Sequence, residues 1–300
     1  MTINFNQTVP TASAPTISSS AMLVELGISV WTGRKKDKRA SEDVTTNNHA
    51  KAGVASVNKK LLGDCAELVA IQKFASNVRT SHYAMSMPWS DTGLRLLPTA
   101  QYFRYHKAMT ELQAEFDRLV EAFLAAYDWE VMQAQTALGD LFVRDEYPSL
   151  STLRGKFGFR LNYIPLPDAG DWRVDMEAET TQALADQYAK FYGQQMQTAM
   201  QDVWTRLHDE AARFIKQLDV DAEGKKGKIY QSTIDHVSNL TDMLGMTNFT
   251  GDPMLQLAEA RLRQALANLD TAALKKDDDY RAATKLEMEA AIAALPSLDL

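Results

Sequence analysis

A single cysteine, Cys65, stands among 300 residues, which excludes an intramolecular disulfide framework and a multi-cysteine zinc site. Proline (9) and glycine (14) are both scarce, so long uninterrupted helices are expected over many tight turns. No apolar run approaches the roughly 18 residues that cross a bilayer. No charged residue precedes Glu25. No basic stretch leads into the first apolar run, Met22 to Trp31, which Glu25 interrupts, so a secretory signal is not expected and the cytoplasm is the expected compartment. An excess of positive charge is missing too: 32 basic against 39 acidic residues give a net charge of −7. That balance speaks against a general nucleic-acid binder and leaves room for a local basic patch.

What is present is an ordinary globular composition, 45% hydrophobic and 24% charged, with internal structure along the chain. Residues 1–20 are rich in Ser, Thr, Pro and Ala and read as a disordered tail. Leu23 to Trp31 alternates in part and reads as one strand. Arg34, Lys35, Lys36, Lys38 and Arg39 then place five cations in six positions. The following Thr45-Thr-Asn-Asn-His49 stretch, with Ala and Gly around it, reads as a mobile loop. A helix is predicted from about Gly63 to Ser81.

Two long rods dominate. Between Thr99 and Tyr147 there is no proline and one glycine, Gly139. Apolar residues recur at Tyr105, Met109, Leu112, Phe116, Leu119, Phe123, Tyr127, Val131, Ala134, Leu138 and Leu141, in steps of three and four. Such a heptad stripe predicts a coiled-coil-like helix of about 45 residues, roughly 65 Å long. A second stripe runs through Leu184, Tyr188, Tyr192, Met196, Met200, Val203, Leu207, Ala211, Phe214 and Leu218. Two such rods joined by a connector are expected to pack antiparallel. In the connector, Phe157, Phe159, Leu161 and Tyr163 alternate with Gly158, Arg160 and Asn162, which is strand period. Pro167-Asp-Ala-Gly170 is turn chemistry and Trp172-Arg-Val174 a return strand. Helices are predicted from about Ile229 to Leu244, Met254 to Leu274 and Asp277 to Leu295, with Asp252 capping the second and Pro253 at its first position. The fold expected is mainly α: an elongated antiparallel helical stalk over residues 98–222, a β-hairpin tip near 156–175, and a helical base from 21–97 and 223–300.

Catalytic signatures are absent. Asp219-x-Asp221-x-Glu223-Gly224 opens like an EF-hand loop, but position eight is Lys226 and position twelve is Tyr230, so a solvated turn is the better reading. Lys225-Lys-Gly-Lys228 lacks the spacing of a phosphate-binding loop. His49, His82, His106, His208 and His236 form no metal-binding pair, and Cys65 has no motif around it and reads as a buried small hydrophobe. No catalytic residue, metal or cofactor is assigned. Nine acidic and two basic residues between Ala108 and Glu146 make the first rod repel nucleic acid and anionic membranes. Two candidate contact sites remain. The aromatic set Phe157, Phe159, Tyr163 and Trp172 suits a partner if the tip is exposed. The segment Arg34 to Arg39 suits phosphates, or the acidic rod of a neighbouring copy. No aromatic residue interleaves with it, so stacking on single-stranded bases is unsupported.

The order of these features resembles a known family. Met22-Leu-Val-Glu-Leu-Gly-Ile-Ser-Val-Trp-Thr-Gly33 precedes the basic segment, two long helices flank Tyr147-Pro148 and the Phe157-to-Pro167 stretch, and the C-terminus is helical. Over about residues 22 to 295 this is similar to an uncharacterised family from tailed phages and integrative mobile elements. Its members are encoded near MoxR/CobS-type AAA+ ATPases and von Willebrand factor A-domain proteins. The resemblance implies an adaptor or substrate role beside an AAA+ ATPase and carries over no catalytic residue. Together with the helical seams and the tip, it makes a non-enzymatic self-assembling or adaptor protein, a homo-oligomer, the expected function. A nucleic-acid-associated protein using Arg34 to Arg39 is one alternative. A helical pore-forming protein is another, though Arg160, Asn162, Asp168, Asp171 and Arg173 are too polar for an inserting tongue.

Overall fold

The computed structural model describes residues 20–166, 178–220, 226–248, 253–267 and 269–293. It is mainly helical, with one four-stranded sheet and one two-stranded ribbon. Strand β1 spans Ala21–Ser29, close to the strand read from the sequence. A ribbon of β2 (Arg34–Asp37) and β3 (Val57–Lys60) follows, with helix α1 (Lys38–Asn47) between its strands. Helix α2 covers Ala66–Ala84, and the short strands β4 (Met87–Pro88) and β5 (Arg95–Pro98) lead into α3 (Tyr102–Leu138). A one-turn helix, α4 (Leu150–Arg154), precedes β6 (Gly158–Pro165). The remaining helices are α5 (Ala178–Leu218), α6 (Gln231–Thr247), α7 (Pro253–Leu266), α8 (Thr271–Lys276) and α9 (Asp278–Ala293). The sheet has the order β4-β5-β1-β6, with Ala21 opposite Pro98 and Val24 opposite Arg95.

Both rods exist, and α3 ends earlier than its stripe suggested. Gly139, with φ +50°, takes the left-handed conformation that stops a helix after Leu138, and Leu141 beyond it is exposed. Within α3 the predicted stripe is the buried one: Tyr105, Met109, Phe116, Phe123, Tyr127, Val131 and Ala134 all face inward. In α5, Met196, Val203, Leu207, Ala211, Phe214 and Leu218 do the same, while Tyr188 is exposed. A stripe says that a face is buried and not what buries it, and the stripes of α3 and α5 belong to separate hydrophobic clusters. Contacts divide the chain into two units. One comprises Glu25–Met85 with Phe103–Asn162, and the other holds the remaining described residues.

In the first unit α3 packs its stripe against Leu68, Ile71 and Ala75 of α2, with Leu153 of α4 and Tyr147 closing the cluster. The two helices run antiparallel. His82, in the last turn of α2, shares a 2.6 Å hydrogen bond with Tyr105 in the first turn of α3. Beyond the other end of α3, Tyr147 donates from its hydroxyl to the Leu61 carbonyl ahead of α2 at 2.6 Å. In the second unit α5 packs on α6, α6 on α7, α7 on α9 and α9 back on α5, a closed ring of four helices. Leu23, Met87 and Leu96 of the sheet, with Trp89 just after β4, join the same core. β6 confirms the strand period read at Phe157 to Tyr163, and β1 is its neighbour in the sheet. The predicted return strand at 172–174, the turn at 167–170, Trp172, Asp252 and most of the Asp219–Gly224 run lie outside the described residues.

The four-helix unit turns on one buried cation. Arg281, 2% exposed, sits in the first turns of α9. Its guanidinium donates to the carbonyls of Leu218 (2.8 Å), Gly227 (2.8 Å), Leu274 (3.2 Å) and Gln217. Two of these acceptors are at the C-terminus of α5, where helix carbonyls lack partners and the dipole favours a cation. Gly227 is required there: a Cβ on it would lie 2.5 Å from the Gln217 carbonyl oxygen. Replacing Arg281 with Met keeps the volume and strands four acceptors. Urea unfolding is expected to show a loss of about 3 kcal/mol. A loss below about 1 kcal/mol would mean that these carbonyls find other donors and that the residue is not the tie described.

Candidate functional site

The basic segment is ordered. Arg34–Asp37 is strand and Lys38 and Arg39 open α1, so the mobile loop expected through Thr45–Asn47 is helix instead. The reason lies in long-range partners that local composition does not report. β2 pairs antiparallel with β3, Arg34 opposite Lys60, Lys35 opposite Lys59, Lys36 opposite Asn58 and Asp37 opposite Val57. Asp37 also caps α1, accepting from the Ala40 amide at 2.9 Å. Ser41 Oγ accepts from the Val57 amide at 2.9 Å, and the Thr45 hydroxyl donates to the Ser41 carbonyl at 3.0 Å.

The ribbon is fastened from beneath by Lys59. This lysine is 7% exposed, and its ammonium lies 3.1 Å from Asp37 and 2.8 Å from Glu146 while donating to the Leu141 carbonyl at 2.7 Å. Burial pulls the Lys59 pKa down, but hydrogen bonds to Glu146 and Asp37 outweigh it, so the pKa stands above the ordinary lysine value. Asp37 is held below the ordinary carboxylate value by the Ala40 amide first and by Lys59 second.

The anchor decides what the surface carries. Asp37 is the one carboxylate inside Arg34-Lys-Lys-Asp-Lys-Arg39, and it is turned towards Lys59. Arg34, Lys35, Lys36, Lys38 and Arg39 are all exposed, and none forms an ion pair with a described residue. Lys60, opposite Arg34, is exposed and pairs with Asp64 at 2.7 Å. Like charges directly opposite one another destabilise a strand pair, and an isolated two-stranded ribbon is weak to begin with. Here two successive rungs oppose cation to cation, and the buried carboxylates relieve only the Lys35–Lys59 rung.

The aromatic candidates end elsewhere. The Phe157 ring lies 5.6 Å from Phe123, Phe159 lies 6.0 Å from Phe116, and Tyr163 lies 5.2 Å from Tyr102. Phe157 and Phe159 pack against the core of the first unit, and all three rings are half-buried. Burial pushes the Tyr163 hydroxyl up to about 12. Cys65 is buried as read, and burial first, with Glu130 and Glu67 adding to it, pushes its thiol up to about 11. A thiol so placed is protonated at neutral pH and is a poor nucleophile. The fold brings Cys65 Sγ and carboxylate oxygens of Glu67 and Glu130 within 4.8 Å of one another, a grouping that sequence spacing hides because Glu130 comes from α3. Lys59 and Lys60 are legible in the sequence as part of the same basic stretch, but their pairing with Arg34 to Asp37, and Asn58 as a member of the site, are not. The signal for Asn58 is its place in Asn58-Lys-Lys60, legible only once the pairing with β2 is known.

No described helix is long and apolar enough to cross a membrane. Comparison with protein families, curated proteins and solved structures finds no match.

Lys59→Met would leave Asp37 and Glu146 half-buried without their cation. Loss of about 3 kcal/mol is expected. In hydrogen exchange, the β2 and β3 amides should lose protection before those of α2 and α3. The pH dependence has a definite sign. Asp37, depressed in the fold, stabilises the ribbon at neutral pH, and that contribution fades as pH falls through its lowered value. Lys59, raised in the fold, contributes fully at neutral pH and loses its contribution only as pH climbs past the lysine range. Ribbon protection that rises on acidification would overturn this account.

Proposed function

We propose that the protein is a non-enzymatic adaptor that grips the phosphates of a nucleic acid through the β2–β3 ribbon. One observation carries the reading: five exposed cations on an ordered surface, with the carboxylate among them drawn inward by Lys59. Phosphate contacts of this kind supply affinity without a catalytic group. The net charge of −7 does not oppose it, because the charge is unevenly spread. The spans 25–85 and 103–162 hold 17 basic and 15 acidic residues, and the rest of the chain holds 15 and 24. An adaptor with one adhesive patch and an acidic remainder binds locally instead of coating its partner. A role beside an AAA+ ATPase, as the family resemblance implies, is compatible with such a clamp.

The same imbalance supports a second reading. The ribbon of one copy could meet the acidic helices of another, giving a head-to-tail homo-oligomer.

Fluorescence anisotropy with a duplex oligonucleotide, titrated over a range of salt, tests the first reading. Five cations that each displace condensed counterions predict a slope of about −4.5 in log K against log salt. Changing Arg34, Lys35, Lys36, Lys38 and Arg39 together to Gln should abolish binding while leaving the fold intact, since all five are exposed. Binding that survives the change would sink the reading. Light scattering on the same two proteins tests the second: an oligomer that dissociates in high salt and is missing from the five-fold variant is its expected result.

A further inference from the structure

We infer that the ribbon enters the major groove of duplex DNA and reads base edges with the face formed by Arg34, Lys36, Asn58 and Lys60. This rests on the proposed phosphate-binding role and specifies its partner.

Alternate residues of a strand share a face. In β2 that sets Arg34 and Lys36 together, and in β3 Asn58 and Lys60. The register places Arg34 opposite Lys60 and Lys36 opposite Asn58, so the four form one compact quartet, and all four are exposed. The opposite face carries the anchor: Val57 and Asp37 are half-buried and Lys59 is buried, while Lys35, opposite Lys59, stays exposed. The ribbon therefore rests on the protein by one face and presents the other. The quartet contains no apolar, aromatic or acidic residue, and among the described residues the one carboxylate against it is the exposed Asp64, paired with Lys60 at the edge of the face. The quartet offers guanidinium and ammonium donors and one amide, which both donates and accepts.

That chemistry matches base edges. Arg and Lys donate to the O6 and N7 acceptors of guanine, and Asn pairs with N6 and N7 of adenine. The dimensions match as well. Four residues of strand run about 13 Å, and a two-stranded ribbon fits the roughly 12 Å width of the B-form major groove. Lys38 and Arg39, at the start of α1 beyond the end of β2, stand beside the quartet where flanking phosphates would lie. Glu42 and Asp43 come one turn later on α1. Other polyanions fit less well. Single strands are held by stacking on aromatic side chains, and the quartet has none. The major groove of duplex RNA is too deep and narrow for side chains to read. An anionic membrane surface calls for apolar residues beside the cations.

The test uses the full chain and three probes: a plain DNA duplex, the same duplex with its major groove filled by glucosylated 5-hydroxymethylcytosine, and the single strand. Binding about tenfold weaker to the blocked duplex and to the single strand is expected. A minor-groove drug should leave plain-duplex binding unchanged. Asn58→Ala and Arg34→Gln, both at exposed positions, should flatten the preference among duplex sequences selected from a random pool. Asn58→Ala should do so without changing the salt slope. Equal binding to plain and blocked duplexes, with the five-fold variant still inactive, overturns groove entry and leaves the phosphate grip standing. Tighter binding to phosphatidylserine vesicles than to duplex overturns groove entry too. Binding to none of these probes overturns both.

Discussion

Everything on the basic surface depends on how Lys59 is satisfied. A buried ammonium is costly unless it is paired and hydrogen-bonded, and this one has two carboxylates and a carbonyl. One carboxylate comes from β2 and the other from the turn after α3, so the charge that must be neutralised also fixes where the ribbon sits. The second consequence is electrostatic. By engaging Asp37, Lys59 takes up the one negative charge within Arg34 to Arg39. A buried ion pair adds little to stability on balance, but here it sets both the position and the sign of a surface.

The second unit solves an analogous problem with Arg281. The C-terminus of α5, Gly227 and the end of α8 all turn carbonyls inward, and one guanidinium serves them together. An arginine suits this place because its donors diverge in a plane and it cannot lose its charge. Around it, Lys285 pairs with Asp219 at 2.7 Å, and the Lys226 ammonium with Asp278. The ring of α5, α6, α7 and α9 is therefore closed by apolar packing along its length and by a polar tie at one end.

The stripe of α3 was legible residue by residue, because a three-and-four spacing can place Phe116, Phe123 and Tyr127 on one face only in a helix. The strand at Phe157 to Tyr163 was legible for the same reason at a period of two. The partners of those faces were not. A stripe that could have met α5 meets α2, whose own pattern at Leu68, Ile71, Ala75 and Val78 is shorter and less regular than a heptad. The rings of Phe157, Phe159 and Tyr163, offered by the sequence as an exposed tip, are half-buried because Phe123, Phe116 and Tyr102 lie against them.

The division between sequence and fold is sharpest at the basic site. Read along the chain alone, five cations crowd into Arg34 to Arg39, no aromatic residue lies among them, and two long helices carry one apolar face each. These are properties of neighbours along the chain, where composition and period act directly. Long-range pairing makes the segment strand and helix instead of loop, completes its face with Asn58 and Lys60, and turns Asp37 away. Each of those outcomes depends on residues twenty to a hundred positions distant, such as Lys59 and Glu146. Their approach is set by the free energy of burying a charge and packing a core, which no local pattern encodes.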